Sequence, residues 1–100
     1  YSSHKYFSWY IIIFMDINEL IAIVKKKLQE KVSIQSIRIE DKSFLHKNHA
    51  GNQEGKFHLK IHLESLELKK MSRVESSKKI YKILDEELKM FIHSIQILIS

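Results

Sequence analysis

Apolar residues at Ile17, Leu20, Ile21, Val24 and Leu28 recur at helical spacing, with Lys25, Lys26, Lys27, Gln29 and Glu30 mostly off that stripe. Asp16-Ile17-Asn18-Glu19 reads as a capping box, so the pattern predicts a helix from Ile17 to Lys31. Ile37 and Ile39 alternate with Arg38 and Glu40, the signature of a short half-buried strand. From Asp41 to Gly55 the chain is polar and holds both of its glycines, Gly51 and Gly55. That is a loop of about 15 residues, a length often tied to function. Leu59, Ile61 and Leu63 alternate with His58, Lys60, His62 and Glu64, which predicts a second strand with its histidines on the outward face. Ser72-Arg73-Val74-Glu75 is a second possible capping box, opening a short helix, and Ser76 or Ser77 starts the next. Ile80, Ile83, Leu84 and Leu88 form the stripe of that last helix. Lys78, Lys79, Lys82 and Lys89 face water, and Asp85, Glu86 and Glu87 read as solvated surface. Ile92 to Ile99 is a final strand on which Ile95, Ile97, Ile99 and His93 share a face.

This is an α/β (α+β) arrangement in the order αββααβ, which suits a KH-like domain of the second topological type: a three-stranded mixed sheet with helices on one face. No repeat, proline or linker interrupts residues 16–100, so one domain is expected there. Residues 1–15 stand apart. Their apolar run from Phe7 to Met15 is shorter than the roughly 20 residues that span a bilayer. It is expected to be a leader or targeting remnant, or to pack on the domain, and no membrane partner is expected.

The chain carries a net charge of +5, which favours acidic partners, but all but two of its 17 basic residues are lysines. Lys lacks the bidentate fork with which Arg reads bases. There is no cysteine, hence no disulfide framework and no thiol nucleophile. A nucleophile elbow, a glycine-rich phosphate loop and HExxH are all missing, and no enzyme is expected. Ser94 follows His93 directly, and strand alternation would put the two side chains on opposite faces.

Six histidines are the unusual resource. His46 and His49 sit three apart in the long loop, His58 and His62 on the second strand, His93 at the start of the last strand, and His4 in the leader. From spacing alone, the loop pair reads as solvated, His58 and His62 as a plain polar sheet face, and His93 as a hydrogen-bonded structural residue. His46 and His49 supply at most two ligands, short of the three or four that a zinc site needs. Nucleic acid is a competing partner, with Arg73, Lys78, Lys79 and Lys82 as phosphate contacts. A KH domain grips RNA with Gly-x-x-Gly between two helices. The turn expected around Glu75, Ser76 and Ser77 has no glycine.

Several segments taken together resemble the BolA family. Ile37-Arg38-Ile39-Glu40-Asp41-Lys42-Ser43, followed after two residues by His46, is similar to that family's first strand and its D-E-S-x-x-H approach to the loop. His46-Lys47-Asn48-His49-Ala50-Gly51 is similar to the H-x-x-H-A-G form of the loop, and Phe57-His58-Leu59-Lys60-Ile61 to the T-H-F-x-V strand. Leu84-Asp85-Glu86-Glu87-Leu88, then Ile92-His93-Ser94-Ile95 after three residues, resembles the L-x-E-E-L-x-x-x-V-H-A-L ending. The chain departs at Ser76-Ser77-Lys78, where the family has Arg-His-Arg, and at Leu68-Lys69-Lys70, where it has Phe-x-Gly.

The resemblance implies a non-enzymatic protein that pairs with a monothiol glutaredoxin and shares a two-iron two-sulfur cluster with it and with glutathione. Its work would be cluster assembly or delivery, or iron regulation. By position, His93 and His46 are the implied ligands, with His49 the alternative to His46, and His58 backs the ligands or is purely structural. A chain without cysteine must borrow thiolates, and an imidazole ligand raises a cluster's potential. Only neutral imidazole binds metal, so acid should weaken the site. The alternative is a KH-like nucleic-acid-binding transcriptional regulator. Alone, the chain is expected to be a monomer.

Overall fold

The computed structural model describes residues 15–43 and 56–100. Helix α1 spans Ile17–Lys31, and the Asp16 carboxylate caps it by accepting the Glu19 N–H at 2.8 Å. Leu20, Val24 and Leu28, one turn apart, are buried. The helix stops where Val32 turns extended while its N–H still reaches the Leu28 carbonyl. Strand β1 (Ser36–Asp41) pairs antiparallel with β2 (Phe57–Glu64), and β3 (Ile92–Ile99) runs parallel to β2 on its other side. The sheet order is therefore β1-β2-β3.

A parallel β2–β3 pair needs a crossover. It is made by α2 (Leu66–Lys69), α3 (Arg73–Ile83) and α4 (Asp85–Met90). Leu59, Ile61 and Leu63 of the central strand pack with Leu20, Val24 and Leu28 of α1 and with Leu68, Ile80 and Leu84 of the crossover in one hydrophobic cluster. The other sheet face is polar. There, His62 Nε2 meets Glu40 Oε2 at 2.7 Å, one diagonal step across the β1–β2 ladder.

The expected α+β order with a three-stranded mixed sheet is present, but the crossover differs from the pattern reading. One turn of helix, α2, follows β2, capped by Ser65, whose hydroxyl accepts the Leu68 N–H at 3.1 Å. Ser72 caps α3, and that helix continues past Ser76 and Ser77 without a turn. Ser76 is buried, and its hydroxyl donates to the Arg73 carbonyl at 3.1 Å. A serine satisfied within its own helix has no need to cap a new one. The break falls later, at Leu84.

Two carboxylates hold the layers together. Glu87, expected in water, is 5% exposed, and its Oε2 lies 2.7 Å from Lys27 Nζ. A lysine can cover apolar surface with its stem while its ammonium reaches a buried carboxylate. This hydrogen bond with Glu87 is the main cause that raises the Lys27 ammonium above its ordinary value. Glu67 takes the Lys79 ammonium at 2.7 Å and the Ser33 N–H at 3.0 Å, tying α2 to α3 and to the turn after α1. That turn is held further by Ser65 Oγ donating to the Ser33 carbonyl at 2.7 Å and Gln35 N–H donating to the Glu64 carbonyl at 2.8 Å.

Removing one member of a buried pair strands the other. Lys27→Met should cost about 2–3 kcal/mol in urea unfolding, discounted because Lys27 is partly exposed, and adding Glu87→Leu should recover most of it. The Lys79 hydrogen bond, then the Ser33 N–H, holds the Glu67 carboxyl below its ordinary value. Its contribution is therefore complete above about pH 4.5 and is lost as pH falls through the lowered value. Melting temperature measured across the acid range should fall less steeply for Glu67→Gln than for the wild type.

Candidate functional site

The end of the sheet where β2 and β3 begin gathers the chemistry. Past β1, the Lys42 N–H donates to the His58 carbonyl at 2.7 Å. Asp41 Oδ1 then accepts the Ser43 N–H at 2.9 Å, a local Asx turn. The Ser43 hydroxyl in turn accepts the His58 N–H at 3.1 Å. On the other side the Phe57 N–H donates to the Phe91 carbonyl at 2.8 Å. The long loop therefore leaves and rejoins the described fold next to His58.

The β2–β3 register shifts at this point. Phe57 faces Ile92, but His58 faces Ser94, so His93 is the extra residue of a bulge. Ile92 and Ile95 consequently both turn toward the core, although three positions separate them. Strict alternation would put His93 on the face of Ile95, and the bulge takes it off that face. It is exposed, and its ring meets that of His58 with centroids 5.0 Å apart and planes tilted by 58°. Ser94 also turns toward His58, with its Oγ 2.6 Å from Nδ1. Adjacent residues thus approach one imidazole, where simple alternation would separate them.

His58 is itself a correction. The polar sheet face suggests that it resembles His62, yet it is 4% exposed. The Ser94 contact satisfies one ring nitrogen there, as a buried polar group requires. Spacing could not reveal the Ser94–His58 pair, because the contact spans 36 residues and depends on the bulge. Beside it, Tyr81, Leu88, His93, Ser94 and Ile95 line a shallow hollow.

His46 and His49 lie outside the described residues, as do His4, Gly51 and Gly55. Among the described residues no group of three His, Asp or Glu side chains can hold a metal. The donor set is thus one exposed imidazole backed by another, which fits a metal centre whose remaining ligands come from elsewhere. None of the described helices is long and apolar enough to cross a membrane.

The four basic residues considered for phosphate contact separate. Arg73 stands exposed in the first turn of α3, and Lys78 and Lys82 are exposed one turn apart. Lys79 is engaged by Glu67 and leaves the set. The turn before α3 is Lys70-Met71-Ser72, not the one expected around Glu75–Ser77, and it too has no glycine.

Residues 28–100 match the family described as BolA-like protein. The chain is 30% identical over 73 residues to the DNA-binding transcriptional regulator BolA of Haemophilus influenzae, covering 73% of this chain and 68% of that protein. Among solved structures it is similar to BolA1 from Arabidopsis thaliana, with TM-score 0.65 and 27% identity over 79% of this chain and 87% of that one. It is also similar to the BolA domain of SufE1 from Arabidopsis thaliana, with TM-score 0.67 and 25% identity over the same shares.

Proposed function

The chain belongs to the BolA-like family, and from that membership we propose that it is a non-enzymatic partner of a monothiol glutaredoxin, sharing a two-iron two-sulfur cluster in assembly, delivery or iron regulation. The observation that carries the reading is the tilted contact of His93 with the buried His58, at the sheet end where the loop holding His46 and His49 departs. His93 would be the ligand from the fold. Its exposure leaves it accessible to a metal held by another protein. His58, fixed by Ser94, orients the neighbouring ring, as groups behind a metal ligand commonly do.

His46 or His49 would supply the second imidazole. His46 follows Ser43 by three residues, so extended chain keeps it within roughly 10–11 Å of that residue. The thiolates must come from the glutaredoxin and glutathione, since this chain has no cysteine. The cluster, when shared, supplies electron storage at a potential raised by imidazole ligation. The chain's own work is to present neutral imidazole, keep it oriented and bury the ring behind it.

Reconstitution tests this reading. The protein is mixed with a monothiol glutaredoxin, glutathione, iron and sulfide, and visible circular dichroism is recorded. The expected spectrum differs from that of glutaredoxin alone, and His93→Ala returns it to the glutaredoxin form. His46→Ala and His49→Ala identify the loop ligand by the same change. A wild-type spectrum indistinguishable from glutaredoxin alone refutes the shared cluster.

The name of the Haemophilus influenzae relative supports a second reading, a regulator that binds DNA. Arg73, Lys78 and Lys82 would contact phosphate without reading bases. Gel shifts at rising salt should then show affinity falling steeply, with Arg73→Ala reducing the salt slope by roughly one.

A further inference from the structure

The two edges of the sheet are built differently. β1 is six residues long and carries Arg38, Glu40 and Asp41, the kind of charge that protects an edge from pairing. β3 is eight residues, Ile92-His93-Ser94-Ile95-Gln96-Ile97-Leu98-Ile99, without Lys, Arg, Asp, Glu or Pro. Among the described residues no strand pairs with its outer side. The bulge at His93 protects only its start.

The backbone of that edge is oriented for pairing. The Ser100 N–H donates to the Leu63 carbonyl at 2.8 Å, and the Ser100 carbonyl accepts the Ser65 N–H at 3.2 Å. Strand alternation then turns the backbone groups of Leu98, Gln96 and Ser94 toward β2, and those of Ile95, Ile97 and Ile99 outward. The side chains of these three isoleucines are only half-buried, and Leu98 is 37% exposed.

Helix α3 lies alongside. Arg73 shares one hollow with Ile97, Leu98 and Ile99, and Tyr81 shares another with Ser94 and Ile95. Arg73 therefore flanks the end of β3 and Tyr81 its beginning.

We propose that the open edge of β3 pairs antiparallel with β3 of a second copy of this chain, making a continuous six-stranded sheet. With Ile97 opposite its own counterpart, Ile95 faces Ile99 of the second copy, and the outward N–H and C=O groups find partners. The same two-fold rotation sets Arg73 opposite Tyr81 of the second copy, twice, a cation–π arrangement. A chain of net charge +5 generally repels its copies, and β3 is the uncharged strip along which it does not. One edge strand and its flanking helix give an interface at the low end of the usual size range, so the dimer is concentration-dependent. This departs from the monomer expected of the chain alone, and it does not rest on the cluster reading.

The test is sedimentation velocity of the full chain from micromolar to millimolar concentration, alongside the double variants Gln96→Lys with Leu98→Lys and Gln96→Glu with Leu98→Glu. Both positions are exposed on the polar sheet face. The wild type should dimerise, the lysine variant should associate roughly tenfold more weakly through like-charge contact, and mixing the two variants should restore dimers. A wild type that stays monomeric throughout overturns the proposal. So does a lysine variant that associates as well as the wild type, which would place association on another surface, such as the apolar run in residues 7–15 or a different strand. Amide hydrogen exchange needs no variant: protection at Ile95, Ile97 and Ile99 should rise with concentration, and unchanged protection there in a dimerising sample also overturns it.

Discussion

The extra residue at the start of β3 governs how the histidines are used. A strand pairing in strict register would carry His93 on the core side with Ile95, where an imidazole would have to be buried among isoleucines. The bulge removes His93 from that alternation and leaves Ile92 and Ile95 both facing the core. The apolar demand of the sheet is met on each side of the irregularity, and one imidazole is turned out beside another. Bulges re-aim side chains in this way at the cost of a local break in the ladder.

The exposed His93 is backed by a buried imidazole that other groups hold in place. His58 lies behind it, and Ser94, Ser43 and Lys42 hold the ring, the N–H and the carbonyl of His58 respectively. The Phe91 carbonyl fixes the neighbouring Phe57, while the Phe91 N–H donates to the carbonyl of Glu87. Glu87 is in turn paired with Lys27 of α1. The histidine end of the sheet and the helical layer are thus joined through a short chain of hydrogen bonds. This is the kind of support that lets a single presented side chain keep its orientation.

Charge is distributed with equal economy. Lys27 and Lys79 are engaged by Glu87 and Glu67; each pair is neutral, so the net charge of +5 is carried by the remaining side chains. Arg73, Lys78 and Lys82 stay exposed along α3, beside the uncharged edge of β3. A basic helix and an uncharged strand thus lie side by side on this side of the molecule.

The run of residues by itself determined the elements that rest on local physics. Asp16 and Ser72 cap where hydroxyl and carboxylate spacing says they should, α1 keeps its predicted bounds, and the three strands follow the alternation of isoleucine and leucine. The segments around Ser43, His58 and His93, in their order along the chain, also carry the family likeness. Tertiary structure alone decided which polar residues are buried. Glu87 looks like any solvated helix acid until Lys27, sixty positions away, reaches it, and His58 looks like His62 until Ser94 and His93 close over it. Alternation reports the face that a side chain occupies on its own element. Whether that face meets water depends on what another part of the chain places against it, and at β3 even the face was set by pairing with β2.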